Sequence, residues 1–198
     1  MIFNMLTDCM KQILRYMRKL WYGRGYSHFG MNSVVKNPMR IFGKKNISIG
    51  DDCYLQAGLR METVPSWRGE QYAPSILVCN DVTIGQNCHI TCAGRVVIGQ
   101  GSSILPQVLI TDIEHQYVPG KSLNITGLEV GSVTIGKNVT IGMGARILGH
   151  RHISIGDNAV IGTNAVVCSD VSANTMVIGM PARVVKTYDF DNRCWRKA

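Results

Sequence analysis

His115 stands in the segment ITDIEHQY, with Asp112 and Glu114 just ahead of it. Imidazole titrates near neutral pH, and a neighbouring carboxylate can orient the ring and stabilise its cation. The segment therefore predicts general-base chemistry at His115. Asp112 or Glu114 would be the orienting acid, although Asp112 is equally suited to capping a turn through its side chain. His89, in the segment NCHIT, is a second candidate, as a contact to the substrate. Trp67 and Tyr72 offer flat apolar faces to a ring-shaped ligand, and Arg68 and Glu70 between them offer hydrogen bonds. The seven cysteines are an odd number with no CxxC pair, and no metal site is predicted. No cysteine or serine is placed to carry an acyl group. His150 and His152 read as surface residues or as contacts to a neighbouring subunit.

The elements that must hold these groups follow from a period of six. Large apolar residues recur at Val78, Ile84 and Ile90; Ile98, Ile104 and Ile110; Ile135, Ile141 and Ile147; and Ile155, Ile161 and Val167. That step fits neither a helix nor a long alternating strand. It is the signature of a hexapeptide β-helix, in which three short strands make one coil and stacked coils bury a continuous apolar column. With the three edges named A, B and C in chain order, every departure from six falls between C and the next A. Two extra residues follow Ile90 and Ile147, and a long insertion follows Ile110. One coil earlier, Ile49 and Leu55 fit edges B and C, with Gly43 a poor A, and a second long insertion follows Leu55. Both loops, 57–75 and 111–132, thus leave one corner of the prism about 10 Å apart, the rise of two strand spacings. Trp67 and Tyr72 are expected to overhang the His115 segment there. The predicted architecture is all-β: a parallel β-helix of about five coils over 41–185, an amphipathic helix over 1–25 and a short tail over 186–198.

A net charge of +8 suits anionic partners. No nucleic-acid module or basic aromatic platform is present, so nucleic acid is not expected as a partner. No signal-peptide pattern and no stretch long enough to span a bilayer is read, and Cys53 and Cys88 sit at inward positions as small reduced hydrophobes, which together predict a reducing cytoplasm. In the helix, Leu6, Met10, Ile13, Met17 and Leu20 follow helical spacing, with Lys11, Arg15, Arg18 and Lys19 among them. It can cap the open end of the solenoid or make peripheral contact with an anionic membrane face.

The repeats over about 76–186, the His115 loop and the ending VIGMPARVVK resemble the hexapeptide acyltransferases, especially the galactoside, maltose and nodulation sugar O-acetyltransferases. The tail TYDFDNRCW more closely resembles the O-antigen and capsule O-acetyltransferases. ITDIEHQY is similar to their S/T-D-H-x-H pattern, with Ile113 in place of the first histidine and His115 as the second, the family's catalytic base. The resemblance implies a left-handed solenoid, acetyl-CoA as acyl donor, and a homotrimer with sites between subunits. It implies a sugar or glycan acceptor belonging to a bacterial surface polysaccharide or its precursor. It places Met143, Thr163, Cys168, Arg183 and Lys186 on the coenzyme side, with Cys168 where a threonine is common. Gly85 replaces the sugar-contacting asparagine of the galactoside enzymes, so the acceptor site must differ from theirs. Asn87 nearby repeats the placing of Asn138, Asn158 and Asn164 and reads as a turn residue. The alternatives are a serine-type or amino-sugar N-acetyltransferase, a zinc hydratase of the γ-carbonic-anhydrase type, and a scaffold without catalysis.

Overall fold

A computed structural model describes residues 16–17 and 19–198 of the chain. The six-residue step winds it into a left-handed triangular prism walled by three parallel sheets, one for each edge of the coil. Each strand is two to four residues long within the coils. Its inward side chain meets the equivalent residue of the next coil: Val78 pairs with Ile98, Ile84 with Ile104 and Ile90 with Ile110. These column residues are essentially unexposed, and burying each aliphatic side chain is worth about 1.5–3 kcal/mol. The A–B and B–C corners are tight and repeat one conformation. Asp52, Asp81, Asn138 and Asn158 at one, and Asn87, Gln107 and Asn164 at the other, have positive φ. Asparagine and aspartate tolerate that region better than most residues. Asn87, at φ 56, is a turn residue as expected.

The first coils differ from the sequence reading by one edge. Ile49 pairs with Val78 and Leu55 with Ile84, so they lie on edges A and B, and Met61, paired with Ile90, completes the coil on edge C. An earlier coil carries Phe29, Val35 and Ile41, paired with Ile49, Leu55 and Met61. The solenoid therefore begins at His28 instead of residue 41. Among the described residues there are six complete coils and a partial seventh, in which Val171 and Val177 follow Ile155 and Ile161. Gly43 is a corner residue with φ 73, where an added Cβ would lie 1.9 Å from the Thr63 hydroxyl. It is not an edge residue, and reading it as one displaced the register.

This correction moves the first insertion. Residues 57–63 belong to the coil, and the loop starts after the strand Arg60–Thr63 and returns at Ser75–Val78. The second loop leaves after Leu109–Thr111 and returns at Ser132–Ile135. Both leave the C–A corner, as expected from the spacing.

At the C-terminal end, Arg183–Asp189 folds back antiparallel on Thr175–Ile178, and Cys194–Lys197 pairs with it in turn. The tail thus extends sheet B, and its first strand straddles the predicted boundary at residue 186. Of the predicted helix, residues 16–17 and 19–22 are helical, and Met17, Leu20 and Trp21 are exposed instead of packed on the prism. Most of that helix lies outside the described residues. No helix among the described residues is long and apolar enough to cross a membrane. The six described cysteines are free thiols, with Cys53, Cys88 and Cys92 buried.

Candidate active site

Outward side chains of sheet C floor a cavity of about 360 Å³, which the two insertions wall. Arg60 and Glu62, His89 and Thr91, and Leu109 and Thr111 come from three successive strands; Val64, Trp67, Ile113, His115 and Leu128 come from the loops.

Asp112 sets the course of the second loop. It is unexposed, and its carboxylate accepts the Ala93 and Gly94 amide hydrogens at 2.8 and 2.9 Å and the Cys92 thiol hydrogen at 3.2 Å. Burial pushes this carboxyl above its ordinary value, against those donors, and pushes the Cys92 thiol up as well. The chain is thereby pinned to the corner below as it leaves the coil. It then rises as the strand Ile113–His115, antiparallel to Leu128–Val130, with His115 opposite Leu128. Side chains alternate along a strand, so Glu114 faces away from His115, and its carboxylate accepts from the Tyr117 hydroxyl at 2.8 Å. Neither acid predicted to orient His115 is hydrogen-bonded to it. Asp112 takes the capping alternative because the corner at 93–94 has amides that need an acceptor.

The first loop turns through Arg68 and Gly69, both at positive φ, which matches the twist of a two-residue hairpin. Trp67 donates its indole N–H to the Thr126 carbonyl at 2.9 Å and meets the His115 ring edge-on, with centroids 5.4 Å apart. It therefore anchors the two loops to each other and walls the cavity. Tyr72 is half-buried and donates to Glu70, with its hydroxyl beside the Leu128 backbone; it overhangs the second loop as Trp67 does but, unlike Trp67, does not line the cavity. His115 Nδ1 is buried and has no hydrogen-bond partner among the described residues. His89 Nε2 lies 2.7 Å from the Thr91 hydroxyl. Burial foremost, then the Arg60 charge, holds the His89 ring below the ordinary histidine value, so its neutral form is favoured.

The predicted coenzyme residues lie outside this cavity. Met143 and Thr163 are exposed and stack one coil apart at the B–C corner, where Asn164 N–H donates to the Met143 carbonyl. Cys168 is exposed on the C face, just past Val167, which pairs with Ile147, the partner of Ile110. That is about 10 Å, or two strand spacings, from the Thr111 level. Arg183 and Lys186 are exposed on the strand Arg183–Asp189 and form no salt bridge among the described residues. The C face thus leads from Cys168 at the last complete coil to the Thr111 level below His115, while Arg183 and Lys186 stand on the extension of sheet B. The sequence reading missed the strand Arg60–Thr63, with Arg60 and Glu62, although Ile41 to Ile49 repeats the eight-residue step of Ile90 to Ile98 and would have revealed it. Among the described residues no group of three His, Cys, Asp or Glu side chains is arranged to hold a metal ion.

A family model described as the hexapeptide repeat of succinyl-transferase matches residues 132–169. The chain is 30% identical to an Escherichia coli K12 protein named, provisionally, a lipopolysaccharide biosynthesis O-acetyl transferase, over 83% of this chain and 84% of that one. It is 28% identical to a serine acetyltransferase of Buchnera aphidicola over 93% of this chain, and spans 62% of that longer protein. Among solved structures, the N-acyltransferase AntD of Bacillus cereus superposes with a TM-score of 0.70 at 14% identity, covering 88% of this chain and 89% of that one.

Proposed function

The chain belongs to the hexapeptide-repeat acyltransferases, and on that premise we propose that it transfers an acetyl group from acetyl-CoA to a sugar hydroxyl, with His115 as general base. The observation that carries this reading is the placing of the His115 imidazole on a cavity closed by both insertions and floored by polar side chains of sheet C. His115 takes the hydroxyl proton while the oxygen attacks the thioester carbonyl. The tetrahedral intermediate collapses, and the coenzyme thiolate leaves with the proton held by the imidazolium. An imidazolium donates from both ring nitrogens, and Nδ1 has no acceptor within the described residues. A second copy abutting the C face, in a trimer with its sites between subunits, is suited to give one. Similarity to the Escherichia coli protein supports a polysaccharide or its precursor as acceptor.

The serine acetyltransferase similarity, which runs along nearly the whole chain, favours a second reading with serine or an amino-sugar nitrogen as acceptor. Acetyl-CoA turnover against free sugars, glycosyl diphosphates, amino sugars and L-serine separates the two, with product mapping by NMR. Transfer to serine or to nitrogen alone would defeat the O-acetylation of sugars.

Two substitutions test the placing of the substrates. Arg183 and Lys186 form no salt bridge among the described residues and stand on the strand that extends sheet B past the last coil, suited to the coenzyme phosphates. Replacing both by alanine is expected to raise the KM for acetyl-CoA about tenfold, at one to two charge-assisted hydrogen bonds lost, and to leave the acceptor KM unchanged. Equal losses for both substrates, or a lower melting temperature alone, would instead make them supports of the tail. Trp67→Ala removes the indole bond to Thr126 and the edge contact to His115. An aromatic contact is worth about 0.5–1.5 kcal/mol beyond its buried area. The acceptor KM should therefore rise several-fold while coenzyme binding, followed by calorimetry, stays constant.

A further inference from the structure

Sheet C carries a charged ladder that the acyl-transfer chemistry leaves unused. Arg40, Arg60 and His89 are register partners on three adjacent strands, so the three side chains stand in one outward column about 10 Å long. Beside them in the next column is Glu62, only 8% exposed. Arg60 grips its Oε2 with Nε and Nη2, at 2.8 and 2.7 Å, and Arg40 Nε reaches Oε1 at 2.7 Å. A second hold on Arg40 comes from its guanidinium lying 5.4 Å over the Phe42 ring. The cluster is fixed on several sides, and two guanidiniums against one carboxylate leave it with a net positive charge. Arg60 Nη1 and both Nη atoms of Arg40 have no partner among the described residues. Arg60 and Glu62 line the same cavity as His115, while Arg40 lies one strand further out.

We propose that this ladder binds a phosphate or diphosphate attached to the acceptor sugar, so that the protein acts on a glycosyl phosphate and not on a neutral glycan. The inference rests on the sugar O-acetyltransferase reading and deepens it. A guanidinium offers planar, paired N–H donors that match a phosphate's oxygens. Glu62 acts here as a positioning residue: it holds both guanidiniums in place before the ligand arrives, which reduces the entropy lost on binding. The sugar would then extend from Arg60 across His89 and Thr91 toward His115, with its anionic end directed outward along Arg40. A diphosphate at that place is shared by nucleotide-linked and lipid-linked sugars.

Calorimetric titration of the full chain with inorganic pyrophosphate, without acyl-CoA, tests the anion site apart from any turnover. Pyrophosphate is expected to bind, and to compete with the acceptor and not with acetyl-CoA. Arg60→Gln leaves Glu62 paired with Arg40 and cancels the net charge; it should weaken pyrophosphate binding about tenfold, the equivalent of one charge-assisted hydrogen bond. The triple variant Arg40→Gln, Glu62→Gln, Arg60→Gln leaves no buried charge without a partner and should abolish binding at an unchanged melting temperature. Turnover is then compared for a hexose linked to a nucleoside diphosphate, a hexose linked to a short prenyl diphosphate, and the methyl glycoside. A preference for either diphosphate that Arg60→Gln removes supports the proposal and identifies its source. Equal use of the methyl glycoside, or pyrophosphate binding that persists in the triple variant, would overturn it. So would acetyl transfer to L-serine with the same dependence on Arg60, which would make the ladder a carboxylate clamp. If pyrophosphate binds as expected but no sugar is acetylated, the transferase reading fails and the anion site does not.

Discussion

His115→Ala should lower kcat by about 10²–10⁴, the usual contribution of a positioned general base, while the affinity for acetyl-CoA and the melting temperature stay close to wild type. Among the described residues, none near it is placed to take over its task. His89 is the other imidazole on the cavity, but its Nε2 is engaged with the Thr91 hydroxyl, and burial with the Arg60 charge disfavours its cation. Glu114 points to the opposite side of its strand toward Tyr117, and Asp112 is enclosed by the corner of the coil below. The ring projects from a two-stranded ribbon outside the prism, so its removal leaves the apolar column intact. Steady-state kinetics, coenzyme calorimetry and thermal unfolding on one preparation check the three parts together. Turnover near that of the wild type would remove His115 from the mechanism. His89→Ala is the comparison, and it should act mainly through the acceptor KM.

The stacking of the solenoid was legible because each column residue does one job, burial, and the six-residue step repeats it within every coil from Val78 to Ile110 and from Ile135 to Val167, with only two extra residues after Ile90 and after Ile147. The shared corner of the two insertions was legible for a related reason. The A–B and B–C corners are fixed by tight positive-φ turns, so extra chain can only be accommodated at the C–A corner. Gly43 marks where the reading failed. A glycine on the period looked like a weak edge residue, whereas its φ of 73 and its closeness to Thr63 make it a corner. Displacing one coil by an edge turned the strand Arg60–Thr63 into a supposed loop and hid Arg60 and Glu62 with it.

Inside the site, a residue's type foretold less than its neighbours did. Asp112 and Glu114 flank His115 in sequence, yet strand alternation sends one outward and corner amides capture the other. Trp67 is 48 residues from His115 in the chain, and only the folding of both loops to one corner brings their rings together. Spacing along the chain located the corner; the direction of each side chain there depended on pairings that no local pattern encodes.

Asp112→Ala is expected to be the most destabilising change in the site. It strips the acceptor from the buried Ala93 amide and the half-buried Gly94 amide, and each orphaned donor costs about 1–3 kcal/mol. The loss should be about 2–6 kcal/mol, a large part of the stability of a domain of this size. Asp112→Asn keeps one acceptor oxygen and should fall between. The difference also depends on pH. Burial raises the Asp112 carboxyl above its ordinary value of 3.8, so in the interval above 3.8 the folded protein holds a proton that the unfolded chain has released. Its contribution is therefore full at acid pH and declines as pH rises through the folded pKa. The gap in unfolding free energy between wild type and Asp112→Asn should be widest near pH 4 and narrow toward neutrality. Activity will fall as well, because the same bonds aim the ribbon that carries His115, and the two losses should move together. An Asp112→Ala protein with wild-type stability and no turnover would contradict the anchoring role and return Asp112 to the chemistry of the base.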